Sequence, residues 1–313
     1  MKIARYQAGT SGEHGLVLGE ALHPLPAGTS VLELLADRPS QDAVLARCGK
    51  PVAVSSVRLL PPVRPASVRD FITFEQHVEG SLGGMGGGGV PEVWYEIPTF
   101  YFTNPHALIG AHDQVRVPPG CQLFDFELEV AAIIGWDGHN LPVERAEEHI
   151  LGYAIFNDWS ARDLQRHEMK IGLGPAKGKD TASTLGPYLV TPDELEPYRR
   201  GDRYDLEMSV SVNGQLIGKD TLASAAWSFP ELIAYASRGT DVRAGDVLGS
   251  GTCGGGCLVE LWGRSGQQLP PPLAIGDVVT MTVAGLGTIE NTIVAGDPVH
   301  PVPPARRKSP ASD

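Results

Sequence analysis

Asp125, Glu127 and Glu129 stand at every second position of Phe124-Asp125-Phe126-Glu127-Leu128-Glu129-Val130, with apolar residues between them. A period of two is that of a β-strand, so the spacing predicts a half-buried strand with the carboxylates on one face. Carboxylates at i and i+2 lie about 7 Å apart and repel unless a cation or water separates them. A hard divalent cation such as Mg²⁺, Mn²⁺ or Ca²⁺ suits that face, because it prefers oxygen ligands. A solvated strand face is the alternative that this stretch alone leaves open.

Other residues able to do chemistry are scattered along the chain. Asp158 follows the apolar run Ile150 to Phe156 and reads as a helix cap or a site residue, with Arg162 four positions on as a potential ion partner. Phe71, Phe74 and Val78 recur at helical spacing, predicting a helix over 69–79 capped by Asp70, with His77 two turns further along, about 10 Å away. The loop Leu173 to Asp180 carries Lys177 and Lys179 but lacks the spacing of a phosphate-binding loop, so a lysine there offers a fixed charge or plain solvation. Leu258-Val259-Glu260-Leu261-Trp262 reads as a strand whose acid sits among apolar neighbours and needs a partner. Two glycine-rich stretches stand out. Gly83 to Gly89 reads as a lid or a plain loop, and Gly249-Ser250-Gly251-Thr252 could bring backbone amides close to an anion.

The elements that must position these residues are mostly strands. Lys2 to Gln7, Gly15 to Glu20 and Val52 to Leu60 read as strands of a small N-terminal unit, residues 1–62, which also holds a short helix capped by Ser40. The proline-rich Pro61 to Pro65 separates it from a larger unit, 66–296, and a flexible tail follows from 297 to 313. Within the larger unit, Leu206 to Val212 and Gln215 to Gly218 flank an Asn213-Gly214 turn, and Ile275 to Val283 with Thr288 to Val294 form a closing hairpin. The fold class is mostly β, of α+β type.

The 313 residues carry a net charge of −12 and no basic stripe, which argues against a nucleic-acid partner. No apolar run approaches the roughly 20 residues that cross a bilayer, and the N-terminus lacks a signal-peptide pattern. Cys48, Cys121, Cys253 and Cys257 show no paired metal spacing and read as incidental thiols. A cytoplasmic location is the expectation.

Glu127-Leu128-Glu129, Asn157 to Asp163, Gly178-Lys179 and Gly249 to Thr252 occur in the order and approximate spacing of the fumarylacetoacetate hydrolase family, which the chain resembles over roughly residues 66 to 296. The Asp70-to-His77 spacing and the N-terminal unit bring it closer to the fumarylacetoacetase branch. The resemblance implies a β-sandwich roll, a homodimer and a divalent metal, Mg²⁺ or else Mn²⁺ or Ca²⁺, held by Asp70, Glu127, Glu129 and Asp158. It implies His77 as the base that activates water, Glu260 as its orienting partner, and Arg162, Gln165 and Lys179 around the developing negative charge. Tyr101, Ser183, Gly251 and Thr252 fall where the substrate binds. Gly86 and Met169 replace an arginine and a tyrosine of fumarylacetoacetases, so the ligands of the distal acid differ. The implied activity is hydrolysis of a carbon-carbon bond in a small anionic 1,3-dicarbonyl or 2,4-dioxo acid, with decarboxylation, tautomerisation or hydration on the same site as the alternative and a non-catalytic metal-stabilised protein as a third reading.

Overall fold

A computed structural model describes residues 1–83 and 89–306 of the chain. Gly86 and most of the glycine run read as a lid lie outside the described residues.

The main sheet runs in the order Val52–Ala53, Ala21–Pro24, Ser11–Leu18, Lys2–Ala8, Ser183–Val190, Ile150–Asp158, Leu128–Ile134, Val247–Gly249, Val68–Phe71 and Phe100–Thr103. A second, five-stranded sheet contains the Glu207–Val212 and Gln215–Thr221 hairpin, whose Asn213 and Gly214 both have positive φ as a tight two-residue turn demands, and the closing Val278–Val283 and Gly287–Val294 pair. The N-terminal strands are part of the main sheet, since Lys2 pairs with Val190.

The central strands are covered on both faces. Val130, Ala132 and Ile134 pack into the larger apolar core with Ile155 and Met281. Ala131 and Ile133, pointing the other way, pack with Val68, Phe156, Val247 and the N-terminal helix residues Leu34 and Leu35. Burial on both faces removes the apolar-polar alternation that marks an ordinary antiparallel strand.

Three expectations are corrected here. The stretch Phe124 to Val130 is two elements: Phe124–Asp125 pairs with Ser160–Ala161, and the 128–134 strand starts after a break at Phe126 and Glu127. It is also buried throughout, acids included, so a solvated acidic face is ruled out. Asp70 does not cap a helix but lies in the 68–71 strand, and the helix carrying His77 begins later, as Glu75–Gly83. Glu260 is not in a strand: Leu258–Ser265 is a helix, because Asp125 accepts hydrogen bonds from the free amides of Leu258 (2.8 Å) and Val259 (3.0 Å) at its N-terminus.

Among the described residues no helix is long and apolar enough to cross a membrane.

Candidate metal centre

Three of four neighbouring strands, 150–158, 128–134 and 68–71, bring acids to one end of one sheet face, and the fourth, 247–249, lies between the last two. Asp70 pairs with Tyr101 on one side and Gly249 on the other, Gly249 pairs with Ala131, and Asp158 pairs with Ser183. Side chains alternate along each strand. Asp70 therefore shares the face of Val68, Glu129 that of Ala131 and Ile133, and Asp158 that of Phe156, all residues of the same core cluster. The face is apolar along most of its length and acidic at its end.

Asp70, Glu127, Glu129 and Asp158 are all buried there. Carboxylate oxygens of Asp70, Glu127 and Glu129 lie within 4.8 Å of one another, and Oδ1 of both Asp70 and Asp158 has no hydrogen-bond partner. Lys179 Nζ donates to Asp158 Oδ2 at 2.7 Å and also to Glu127. Tyr101 donates its hydroxyl to Asp158. Arg162 Nε donates to Asp125 at 2.8 Å, while its NH2 lies 2.7 Å from Glu127 as an ion contact without hydrogen-bond alignment. Arg162 is thus not the partner of Asp158 that its spacing offered. Gln165 accepts from Arg162 at 3.2 Å and is linked to the acids through it.

Charge and burial divide the acids. Burial, then Asp158, pushes the Asp70 carboxyl well above its usual range, and burial, then Asp70, does the same to Glu129. Burial raises Asp158 as well, although Lys179 opposes it. For Glu127, burial is outweighed by Lys179 and then Arg162, which hold it below the ordinary carboxylate range. Two cations therefore do not neutralise the group, and orphaned oxygens remain.

A backbone cradle completes it. Gly251 N donates to Glu129 Oε2 at 2.9 Å and Thr252 Oγ1 lies 3.5 Å from Oε1. Gly249 sits between Asp70 and Glu129, and a Cβ there would lie 2.4 Å from Asp70 Oδ1 and 3.0 Å from Glu129 Oε2. The residues present thus fit a hard divalent cation: all-oxygen donors, unpartnered carboxylate oxygens and a space kept clear by a glycine. Ser183 Oγ is buried beside Asp158 without a partner.

His77 lies against this group. Its Nδ1 is 3.5 Å from Glu260 Oε2 and 3.5 Å from Cys257 Sγ. Glu260 is fully buried and accepts from Gly255 N at 2.9 and 2.8 Å and from Arg264. A carboxylate fixed behind an imidazole sets its tautomer and orientation. Lys179 owes its place to a tight loop: Glu168 accepts from the amides of Ala176, Lys177 and Gly178, and Gly178 packs where a Cβ would lie 2.7 Å from Gln165 Cα.

All the expected site residues except Gln165 thus stand in direct contact or strand register with the acids or with His77. Sequence reasoning missed the distinct part of Asp125, which holds Arg162 and the start of the Glu260 helix, and that of Asn157, whose Oδ1 fixes Glu127 N at 2.9 Å. Gly249 stands out in the sequence only as part of a glycine-rich stretch; that it keeps space clear between Asp70 and Glu129 depends on strand order and has no local signal.

Two outcomes follow from this geometry. Gly249→Ala should fold yet bind Mg²⁺ about tenfold more weakly or worse, comparable to losing a supporting group; unchanged affinity by calorimetry would contradict the cradle. In the cation-free protein, three of the four acids hold protons to higher pH when folded than when unfolded, so the folded state binds more protons and stability falls as pH rises from about 4. Glu127, shifted the other way, opposes this only in part. Mg²⁺ should therefore raise the melting temperature more near about pH 8 than near about pH 5, and equal shifts would contradict it.

A mixed-sheet scaffold thus holds a buried cage of oxygen donors, fit for a divalent cation, beside a histidine with a carboxylate 3.5 Å behind it. The model of the fumarylacetoacetate hydrolase C-terminal domain matches residues 67–294, and the chain belongs to that family. It is similar to an uncharacterised protein of Pyrococcus abyssi, 34% identical over 209 residues, 65% of this chain and 83% of that one. Fumarylacetoacetase of Dictyostelium discoideum is 28% identical over 261 residues, 67% of this chain and 61% of that protein. Oxaloacetate tautomerase of Bacillus subtilis is 30% identical over 245 residues, 77% and 74%. Among solved structures, a fumarylacetoacetate hydrolase from Exiguobacterium antarcticum matches with TM-score 0.73 and 27% identity, over 94% of this chain and 99% of that one. Maleylpyruvate hydrolase of Sphingobium sp. SYK-6, solved with manganese(II) and pyruvate, shares the fold at TM-score 0.70 and 22% identity, over 95% and 100%.

Proposed function

We propose that this chain is a divalent-cation-dependent hydrolase that cleaves a carbon-carbon bond in a 1,3-diketone or 2,4-dioxo acid. The observation that carries the reading is His77, backed by Glu260 and set against the buried acids. A purely structural cation site has no use for an oriented imidazole beside it.

Asp70, Glu127, Glu129 and Asp158 would hold the cation, which supplies Lewis-acid polarisation of a carbonyl and a template for two substrate oxygens. His77 takes a proton from water, and Glu260 stabilises the imidazolium that results. The hydroxide adds to one carbonyl, the adjacent carbon-carbon bond breaks, and its electron pair remains on the other fragment as an enolate. Lys179 and Arg162 offset the negative charge at that end of the sheet. Return of the proton held by the His77 imidazolium to the enolate carbon restores the base and leaves a carboxylate and a smaller ketone or oxo acid.

The second reading keeps the cation and enolate but omits the attacking water, giving a tautomerase, isomerase, hydratase or decarboxylase of oxo acids. The similarity to an oxaloacetate tautomerase favours it. Product analysis separates the two: hydrolysis consumes water and yields two fragments with a new carboxylate, tautomerisation yields none.

A further inference from the structure

His77 takes part in a second grouping that the proposed chemistry does not use. Cys257 Sγ lies 3.5 Å from His77 Nδ1, and donor atoms of His77, Cys257 and Glu127 all fall within 4.8 Å of one another. Each of the three is buried, and each comes from a different segment: the 75–83 helix, the turn before the 128–134 strand and the residue before the 258–265 helix. No loop closure is needed to assemble them.

We propose that His77, Cys257 and Glu127 form a second cation site, for a borderline-soft ion such as Zn²⁺, whose occupation silences the enzyme by engaging His77. The silencing rests on the reading of His77 as the base; the binding does not.

The donor chemistry separates the two sites. Asp70, Glu127 and Glu129 offer only oxygen, which suits hard ions, whereas one nitrogen, one sulfur and one oxygen make a three-residue zinc set with a fourth position open. Glu127 is common to both and would bridge them. On binding, the buried Cys257 thiol would release its proton to solvent and leave the thiolate on the ion.

The test is titration of the full-length, metal-stripped protein with Co²⁺ as a zinc surrogate, in excess Mg²⁺ so that the hard site is filled. The expected result is a thiolate-to-cobalt charge-transfer absorption that saturates at one equivalent and is displaced by Zn²⁺. Cys257→Ser should abolish it and weaken Zn²⁺ by at least about 100-fold, the upper end for losing a mere supporting partner, while Cys48→Ser keeps it. No absorption, or one that persists in Cys257→Ser, would overturn the site. Should Cys257→Ser not fold, X-ray absorption at the zinc edge of the wild-type protein decides, sulfur in the shell supporting the site and oxygen alone refuting it. With a turned-over substrate, Zn²⁺ should inhibit Mg²⁺-saturated wild type and require at least about 100-fold more for Cys257→Ser; equal inhibition of both would overturn the silencing. Failure to find any substrate counts against the dicarbonyl reading alone, because the cobalt signal is read without turnover.

Discussion

His77→Ala is expected to lower turnover by about 100- to 10,000-fold, the contribution of a positioned general base, while leaving Mg²⁺ affinity near that of the wild type. The two halves have separate origins in the structure. His77 sits on the 75–83 helix beside Glu260, whereas Asp70, Glu129 and Asp158 come from strands and Glu127 from the break before the 128–134 strand. Removing the imidazole deletes the group that accepts the water proton but leaves all four carboxylates of the cage in the chain, Glu127 losing only a neighbour. Single-turnover kinetics and calorimetry on the same preparation check both halves. A variant with undiminished turnover would remove His77 from water activation and favour the tautomerase-like reading. Joint loss of turnover and Mg²⁺ binding would show that the histidine belongs to the cage.

Glu129→Gln should weaken Mg²⁺ by at least about 100-fold and, in the cation-free protein, raise the melting temperature. Glutamine has nearly the same shape and still offers an oxygen to Gly251 N, which now donates to Glu129 Oε2 at 2.9 Å. What it lacks is the charge. The carboxyl of Glu129 is held well above its usual range by burial and then by Asp70, so ionising it without a cation is costly, and ionised it is what draws the cation in. Losing a ligating carboxylate should cost at least as much as losing a group that only supports a ligand, for which about 10- to 100-fold is typical. The opposite signs make the test sharp. Weaker Mg²⁺ binding with a higher melting point marks a ligand; a lower melting point with unchanged affinity would mark Glu129 as a structural acid.

The sequence shows some of this plainly and hides the rest for definite reasons. The Asn213-Gly214 hairpin is legible because its turn chemistry is local. The run from Ile150 is legible as a strand because it is long and apolar, and it ends in Asp158 as the Ile150–Asp158 strand. The 68–71 strand is not, because it is short and buried on all four residues, leaving Phe71, Phe74 and Val78 to imitate a helix across its end. The helix around Glu260 is hidden for another reason: its N-terminal amides are satisfied by Asp125, 133 residues away, and Leu258 to Trp262 is a short apolar run interrupted only by Glu260, which a buried strand would share.

For the site, the residues alone yield an acidic stretch and isolated candidates. Their convergence depends on strand order, since Asp70 and Glu129 flank Gly249 only because the 247–249 strand lies between theirs. No periodicity encodes that order; family resemblance supplied it. Asp125 shows the remaining limit. It shares the spacing of Glu127 and Glu129, yet the chain breaks at Phe126 and turns it to Arg162 and the 258–265 helix.

The proposed cation-dependent cleavage of a dicarbonyl acid is tested most directly by incubating the purified protein with Mg²⁺ and a panel of 2,4-dioxo acids and oxaloacetate, products being identified by NMR. The expected result is two fragments, one a new carboxylate, from at least one dioxo acid, with the reaction lost on chelation and restored by Mg²⁺. Keto-enol exchange or CO₂ release without cleavage into two acids, or cleavage that survives chelation, would contradict it.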